Sequence, residues 1–326
     1  MKDFFSINQN DQFSNLHGLD LQELLIQIEN FNLEYRENLA LSKNVSFGIE
    51  IEYENVFRFL VNSYIKKNFS DWIGHKDASL DNGGEITSPI LYDNEKTWND
   101  LKNICNYLKK KKANTLNRAG GHIHIGSQIL EYNLNYWRLF IKMYMLYENV
   151  IFRFAYGEKL QARRTLQKFA PPIANLLFEK IEQLNKIKTL SSLSEVLPVS
   201  EKYQALNLRN TIFLDVEIFN KNTVEFRSPN ATIEEIVWQN NINAFTKLML
   251  AATKGLIDEE YLDYKISNFT NYDFMYKEIC LKNVLEFVDL VFDNNLDKIY
   301  FLKQYFKDFK DISSFNSLNR IRKFNR

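Results

Sequence analysis

The sequence predicts an α+β fold in which short amphipathic strands are combined with helices. Apolar and polar residues alternate over 45–54, 121–127 and 223–228, as in strands that bury one face. Apolar residues recur at helical spacing over 95–112, and most of the chain from about 233 to 310 has a helical pattern. We therefore expect a sheet flanked by helices, with a helical C-terminal region.

The first predicted strand, residues 45–54, has two different faces. Its odd-numbered side chains are apolar, whereas the other face carries Glu50 and Glu52. Successive residues of a strand point to opposite sides, so both carboxylates share one face. A helical pattern over 20–41 precedes this strand, and residues 84–91 are predicted to form the second strand.

The most apolar long stretch, residues 135–154, is predicted to lie in a buried helix over 132–155. Four charged residues within it argue against a membrane span: Arg138, Lys142, Glu148 and Arg153. The apolar face of the 95–112 helix consists of Trp98, Leu101, Cys105 and Leu108. The remaining predictions are a loop or broken helix over 158–172, a helix over 175–195, and strands over 203–208 and 211–219.

The amino-acid composition favours a globular protein and argues against several classes of partner. The 326 residues are 45% hydrophobic and 25% charged, which is ordinary for a globular protein. Lys plus Arg equals Asp plus Glu, and the resulting net charge of zero argues against nucleic acid or a membrane as partner. Cys105 and Cys280 lie far apart in the sequence, and the N-terminus lacks an apolar signal core. These features predict a cytoplasmic protein.

Three predicted strands carry pairs of ionisable residues two positions apart: Glu50 and Glu52, His122 and His124, and Glu225 and Arg227. Each pair lies on one face of its strand. If the strands are neighbours, that face gathers charges that are costly to bury without counter-charges. Carboxylates with an imidazole suit Mg²⁺ or Mn²⁺, and bound phosphate would meet the guanidinium. Each pair alone is also compatible with a solvated sheet face.

Residues 77–89 contain a second candidate segment. Gly83 and Gly84 allow a tight turn and a close approach to a ligand, and Glu85 could complete a metal site. The alternative is a plain β-hairpin with turn residues at its tip. No covalent nucleophile is evident, since Cys105 lies on an apolar helix face.

The order of these motifs resembles the amidoligase family, which comprises carboxylate–amine ligases related to glutamine synthetase and glutamate–cysteine ligase. The resemblance covers roughly residues 45–240. The motifs that carry it are Phe47-Gly-Ile-Glu-Ile-Glu52, Asp77-x-Ser79, Gly84-Glu85 with Ser88-Pro89, Gly120-Gly-His-Ile-His124, Tyr203-x-x-Leu-Asn207 and Thr223-Val-Glu-Phe-Arg227.

The resemblance implies a curved, mainly antiparallel sheet, the glutamine-synthetase-like catalytic half-barrel. It implies an N-terminal helical segment (1–44), a catalytic α+β domain (45–255) and a helical C-terminal extension packed on the same domain (256–326). The implied metal ligands are Glu50, Glu52, Glu85, His122 and Glu225. The implied nucleotide-binding residues are His124, Asn207 and Arg227. The residues expected to act on the reacting groups are Arg227, Asp77 and one of Arg163 and Arg164.

The resemblance also implies the reaction. ATP would activate a carboxylate as an acyl phosphate, and an amine would then displace phosphate to form an amide, with Mg²⁺ or Mn²⁺ as cofactor. The expected partners are a small-molecule or peptide carboxylate and an amine, and assembly of identical copies stays open. The alternatives are a phosphotransferase on the same fold, a non-catalytic nucleotide-binding relative, and a metal-dependent hydrolase that uses His122 and His124.

Overall fold

The computed structural model describes residues 26, 28–115, 117–159, 162–198, 201–211, 221–268 and 281–307. Several sequence predictions fall partly or wholly outside these residues, including residues 160–161 of the predicted loop over 158–172, and residues 269–280 and 308–310 of the helical pattern after about residue 233. The predicted helix over 20–41 begins outside the described residues, and the predicted strand over 211–219 lies outside them except for Thr211. Nothing in the structure bears on those parts.

A six-stranded antiparallel sheet forms the centre of the described chain. Its strands are β1 (Phe47–Tyr53), β2 (Ile73–His75), β3 (Gly84–Thr87), β4 (Gly121–Gly126), β5 (Leu206–Asn207) and β6 (Thr223–Phe226). Their order across the sheet is β2-β3-β1-β4-β6-β5, and each neighbouring pair is antiparallel. The predicted combination of helices with a mainly antiparallel sheet is therefore confirmed, and the three strands with paired ionisable residues are neighbours.

Helices supply most of the rest of the described chain. They are α1 (Arg58–Asn68), α2 (Glu95–Lys110), α3 (Leu134–Ala155), α4 (Leu166–Phe169), α5 (Ala174–Glu179), α6 (Ile181–Lys186), α7 (Leu193–Val196), α8 (Glu235–Ala251), α9 (Glu259–Ser267), α10 (Leu281–Val291) and α11 (Asn295–Tyr305), with a 3₁₀ helix over Ser127–Leu130. The predicted helices over 95–112 and 132–155 are confirmed as α2 and α3. The helical pattern after about residue 233 is confirmed in the described segments.

The alternation in β1 determines how the sheet is buried. Phe47, Ile49, Ile51 and Tyr53 are each at most 2% exposed and belong to the main core. Phe47 stacks on Trp98 of α2 with ring centroids 5.5 Å apart. One face of the sheet is thus covered by helices, while the other face, with the glutamates of β1, stays open for polar groups.

Helix α3 is buried almost all round and keeps its charged residues paired. Lys142 forms ion pairs with Glu259 at 2.8 Å and Asp263 at 2.6 Å. Arg153 donates from Nε to the Tyr305 carbonyl at 3.2 Å. Neither α3 nor any other helix among the described residues has the length and hydropathy required to cross a membrane.

The prediction of helix through residues 31–41 was wrong, since the described residues 31–44 contain no helix. Backbone N–H groups in this segment bond to distant side chains instead of to the next turn. Arg36 N–H donates to Gln239 Oε1 at 2.9 Å, and Leu39 N–H donates to the Asp93 carboxylate at 2.9 Å. These tertiary acceptors compete with helical hydrogen bonds, so sequence periodicity alone overestimated the helix.

Other elements are shorter than predicted, and helix α1 and strand β2 were missed. Pro89 has no N–H, and the strand predicted over 84–91 ends at Thr87 as β3. The helix predicted over 175–195 is divided into α5, α6 and α7, and the strand predicted over 203–208 is reduced to β5. Strand β2 has only three residues, too few to show a period in the sequence.

Candidate functional site

The open face of the sheet carries its polar residues in three rows that run across the strands. The rows follow from the register of the antiparallel pairs, because directly paired residues point to the same face. They are His75, Glu85 and Glu52; Thr87, Glu50 and His122; and His124, Glu225 and Asn207. The pairing therefore places residues that are distant in sequence side by side.

His122 lies at the centre of this face and is only 4% exposed. Its Nδ1 atom is 2.8 Å from Glu50 Oε2 and 3.8 Å from Glu225 Oε1. Its Nε2 atom is 3.6 Å from Glu52 Oε1. A single buried imidazole thus lies within 4 Å of three carboxylates, two from β1 and one from β6.

Glu50 is held by two histidines. His124 Nε2 lies 3.0 Å from Glu50 Oε1, on the other side of the carboxylate from His122. Burial alone would raise the pKa of Glu50, but hydrogen bonds from His122 and His124 outweigh it and hold that pKa below its usual range. Burial works against charge on His124, yet the Glu50 hydrogen bond and the charge of Glu225 raise the His124 pKa.

Glu52 is positioned by the backbone next to His122. The Gly120 N–H donates to Glu52 Oε2 at 2.5 Å. A Cβ atom at position 120 would lie 3.0 Å from His122 Nε2 and 3.3 Å from the Arg163 guanidinium carbon. Glycine at this position therefore allows Glu52, His122 and Arg163 to approach one another closely.

Glu225 is fixed from both sides. Asn207 donates from Nδ2 to Glu225 Oε2 at 2.6 Å, and Arg227 Nη1 bonds to Glu225 Oε1. Burial would raise the pKa of Glu225, but the positive charges of His124 and Arg227 lower it. The carboxylate therefore stays ionised.

The pKa of Glu85 is raised, in contrast to those of Glu50 and Glu225. Burial and the negative charge of Glu50 raise the pKa of Glu85 to about 7, although the Thr87 hydroxyl donates to Glu85 Oε1 at 3.0 Å. Glu85 therefore has too little positive charge beside it to offset its burial and the charge of Glu50.

Two groups of side chains on this face have the donors of a divalent metal site. One consists of Glu50, His122 and Glu225, and the other consists of Glu52, Glu85 and His122. Within each group the ligand atoms lie within 4.8 Å of one another. Carboxylate oxygens with an imidazole nitrogen are ligands that suit Mg²⁺ and Mn²⁺. A dication would also offset the negative charge around Glu85. The residues present therefore fit such an ion.

The metal-binding candidates form the floor of a large open pocket of about 1050 Å³. Its rim is basic, with the exposed side chains of Lys168, Lys202, Arg209 and Lys221. None of these four forms an ion pair with the described part of the chain. An acidic floor under a basic rim is the arrangement expected for a polyanion bound through cations.

The pocket includes all but one of the candidate site residues identified in the sequence. Asp77, His124, Arg163, Asn207 and Arg227 line it together with the five candidate metal ligands. Arg164 does not line it and is exposed to solvent. The roles assigned to these residues stay predictions, but the structure brings them into one place.

Arg163 lines the pocket, and its guanidinium donates hydrogen bonds to backbone carbonyls. Nη1 donates to the Pro229 carbonyl at 2.6 Å and to the Ser228 carbonyl at 3.3 Å, and Nη2 donates to the Arg227 carbonyl at 2.8 Å. Burial lowers the pKa of Arg163 to about 10, so the group remains charged at neutral pH. Arg163 therefore fixes the segment that follows β6.

Sequence reasoning missed several residues of the pocket. Thr87, which lies on the same sheet face without lining the pocket, could have been found, because it follows Glu85 at the strand spacing of two. Tyr203 was recognised within a motif, but no role was derived for it. The basic rim gave no signal, since its residues come from loops and from a short helix without common periodicity.

Comparison with known proteins identifies a family for this chain. Residues 73–249, more than half of the chain, match the model of the family described as "Putative amidoligase enzyme". The match includes Glu85, His122 and Glu225, but it begins after β1 with Glu50 and Glu52. None of the curated proteins compared with the chain matches it. With the family match extending over most of the sheet and its pocket, the chain belongs to the amidoligase family.

Proposed function

We propose that the protein is an ATP-dependent carboxylate–amine ligase built on the glutamine-synthetase-like catalytic half-barrel. The observation that carries this proposal is the convergence of four carboxylates and two imidazoles on one sheet face beneath a basic rim. A nucleoside triphosphate with divalent cations matches that distribution of charge. The low cysteine content adds support for a reducing, cytoplasmic setting.

The divalent ions would be held by Glu50, His122 and Glu225 at one position and by Glu52, Glu85 and His122 at the other. When bound, they would neutralise charge on the nucleotide phosphates during phosphoryl transfer. His122 belongs to both groups, because its two ring nitrogens face different carboxylates. Loss of His122 would therefore disturb both positions at once.

The proposed reaction has two steps. A carboxylate oxygen of the substrate forms a bond to the γ-phosphorus of ATP, the bond to the bridging oxygen breaks, and ADP leaves. The amine nitrogen then forms a bond to the carbonyl carbon of the acyl phosphate. The carbon–oxygen bond to phosphate breaks, inorganic phosphate leaves, and the amine gives up a proton. The products are an amide, ADP and phosphate.

We assign Arg227 and Asp77 to act on the reacting groups. The Arg227 guanidinium already bonds to Glu225, and its planar donors suit phosphoryl oxygens. Asp77 lines the pocket and accepts the Ser79 N–H at 2.7 Å, which fixes the carboxylate. We assign Asp77 to holding the amine and accepting its proton.

The test is ATP turnover by the purified protein across a panel of carboxylates and amines. We expect ADP release only with Mg²⁺ or Mn²⁺ and a substrate pair. Glu52→Gln and His122→Ala should lower turnover by about 10²–10³-fold, as for loss of one preorganised electrostatic group, while the fold is retained. Glu182→Gln, on the exposed surface of α6, is the matched control and should keep full turnover.

Product analysis separates this proposal from a phosphotransferase. A ligase releases an amide and inorganic phosphate, whereas a phosphotransferase leaves a stable phosphorylated product. Full ligation by Glu52→Gln or His122→Ala would contradict the assignment of the site.

A further inference from the structure

Two aromatic rings lie at the mouth of the pocket, beside its acidic floor. Tyr203 is 46% exposed although it is a large aromatic residue, and both Tyr203 and Phe169 line the pocket. Their ring centroids are 5.3 Å apart at 63°, an edge-to-face contact. An exposed ring inside a pocket offers a flat apolar surface that a planar ligand can cover. We refer to this pair as the aromatic shelf.

The aromatic shelf is held in place from below. Its two segments are joined by the Ala205 N–H, which donates to the Pro171 carbonyl at 2.9 Å. Residues from both segments form a separate buried cluster with α3: Phe152, Tyr156, Leu166, Ala170 and Ala205. A ligand that covers the shelf therefore meets a preorganised surface, which lowers the entropic cost of binding.

Arg227 connects the aromatic shelf to the candidate metal ligands. Its Nε donates to the Phe169 carbonyl at 3.2 Å, and its guanidinium carbon lies 5.8 Å from the Tyr203 ring centroid. The same guanidinium bonds to Glu225. A ligand that runs from the shelf to the acidic floor must therefore pass Arg227, the side chain best suited to phosphate.

Two lysines add positive charge at the edge of the shelf. Lys168 Nζ is 4.9 Å from the Phe169 ring centroid, and Lys202 Nζ is 5.4 Å from the Tyr203 ring centroid. Both side chains are exposed and form no ion pair with the described residues. The shelf thus suits a planar group with anionic charge attached, rather than an apolar side chain.

We propose that the aromatic shelf binds the base of the nucleotide, with Tyr203 as the stacking residue. The inference rests on the proposed ATP-dependent function and adds where the base lies. The triphosphate then extends past Arg227 toward His122. Lys168 and Lys202 lie beside the phosphates nearest the ribose. Stacking of a base on an aromatic ring is a general mode of nucleotide recognition.

The test compares two ligands that differ in the presence of a base. Binding of ATP and of inorganic tripolyphosphate, both with Mg²⁺, is measured by calorimetry for the wild type and three variants. Tyr203→Ala should weaken ATP binding about tenfold or more, the loss expected for one stacked base, and should leave tripolyphosphate binding unchanged. Tyr203→Phe keeps the ring and should bind ATP like the wild type. Tyr132→Ala removes another exposed tyrosine, outside the pocket, and should change neither ligand.

The other outcomes overturn the inference in distinguishable ways. Unchanged ATP affinity in Tyr203→Ala would remove the base from the shelf. Equal losses for ATP and tripolyphosphate would assign Tyr203 to the phosphates or to pocket structure. If ATP affinity persists but an aromatic amine or carboxylate loses affinity, the shelf belongs to that substrate. If the wild type binds neither Mg²⁺-ATP nor Mg²⁺-tripolyphosphate, the proposed function itself fails.

Discussion

Arg163 and Arg164 are adjacent in the sequence, yet their surroundings differ completely. Arg163 is 3% exposed and donates to three consecutive backbone carbonyls, those of residues 227–229. Arg164 has an exposed side chain, although its backbone N–H donates to the Asn117 carbonyl at 2.8 Å. The sequence offered both as candidates for the site, because a loop without periodicity does not show which side chain points inward.

We predict that Arg163→Lys lowers the free energy of unfolding by about 2–4 kcal/mol, because a lysine cannot reach three carbonyls with a planar fork. Arg164→Lys should change it by less than about 0.5 kcal/mol, as for most surface substitutions. Denaturant unfolding of the two variants measures both values. Equal stability of Arg163→Lys and wild type would show that the three carbonyl contacts contribute little.

Among the elements, the short helix α5 depends on a carboxylate from another helix. Glu148 of α3 is fully buried and accepts the Ile173 N–H at 2.9 Å and the Ala174 N–H at 2.8 Å. The first N–H groups of a helix have no partner within it, so Glu148 satisfies two donors at the start of α5. Burial raises the pKa of Glu148 from 4.5 to about 7, despite these donors and the Tyr144 hydroxyl.

This pKa predicts how the stabilising effect of Glu148 depends on pH. The folded state retains the proton up to about pH 7, whereas the unfolded chain releases it near 4.5. The contribution is therefore fully present below the unfolded pKa and declines as pH rises through the folded pKa. The stability of wild type relative to Glu148→Gln should fall by at most about 3 kcal/mol between about pH 5 and pH 8.

Denaturant unfolding of both proteins across this pH range measures the difference. Glu179→Gln, on the exposed surface of α5, provides the matched control and should show no such trend. A constant difference between wild type and Glu148→Gln would mean that Glu148 ionises alike in the folded and unfolded states.

Sequence patterns located elements well where one face is buried and the element is long. The period of β1 and the apolar face of α2 gave the correct sidedness, because both pack against the same core. Patterns were less informative over 31–41, where N–H groups bond to distant side chains, and over 174–196, where one predicted helix is three. Such breaks depend on tertiary partners, which no local window of sequence contains.

The same distinction applies to the site. Its floor was predictable because paired residues at a spacing of two on neighbouring strands must share a face. The basic rim and the aromatic shelf were not, since Lys168 belongs to the four-residue helix α4, and Lys202 and Tyr203 belong to a connection between elements. Their positions depend on how those connections cross the open face.

At the scale of the whole molecule, the C-terminal helices pack directly on the elements that support the sheet. Phe301 of α11 stacks on Phe154 of α3 with ring centroids 4.1 Å apart, and Phe287 of α10 lies 5.0 Å from Phe301. The division of the chain at residues 44 and 255 stays a prediction. These contacts nevertheless argue that the two latter parts unfold together.

We predict that Phe301→Ala lowers the free energy of unfolding by about 3–5 kcal/mol, the usual cost of deleting a buried phenylalanine ring. The measurement is unfolding followed by tryptophan fluorescence. All tryptophans precede residue 256: Trp72, Trp98, Trp137 and Trp238. Tyr264→Ala, at a 66% exposed position, is the control and should have little effect. A tryptophan transition that does not move in Phe301→Ala would mean that the C-terminal region unfolds independently.

The polar face of the sheet also bears on the resistance of the chain to proteolysis. Glu85, Glu50, His122 and Glu225 come from four strands, and they meet only after β3, β1, β4 and β6 have paired. An ion or nucleotide that bridged them, as we propose, would bind the folded chain and would have no equivalent site in the unfolded one. By mass action, each rise in occupancy would then reduce the unfolded population that proteases degrade. The concentration of the ligand would then affect the abundance of this protein as well as its turnover rate.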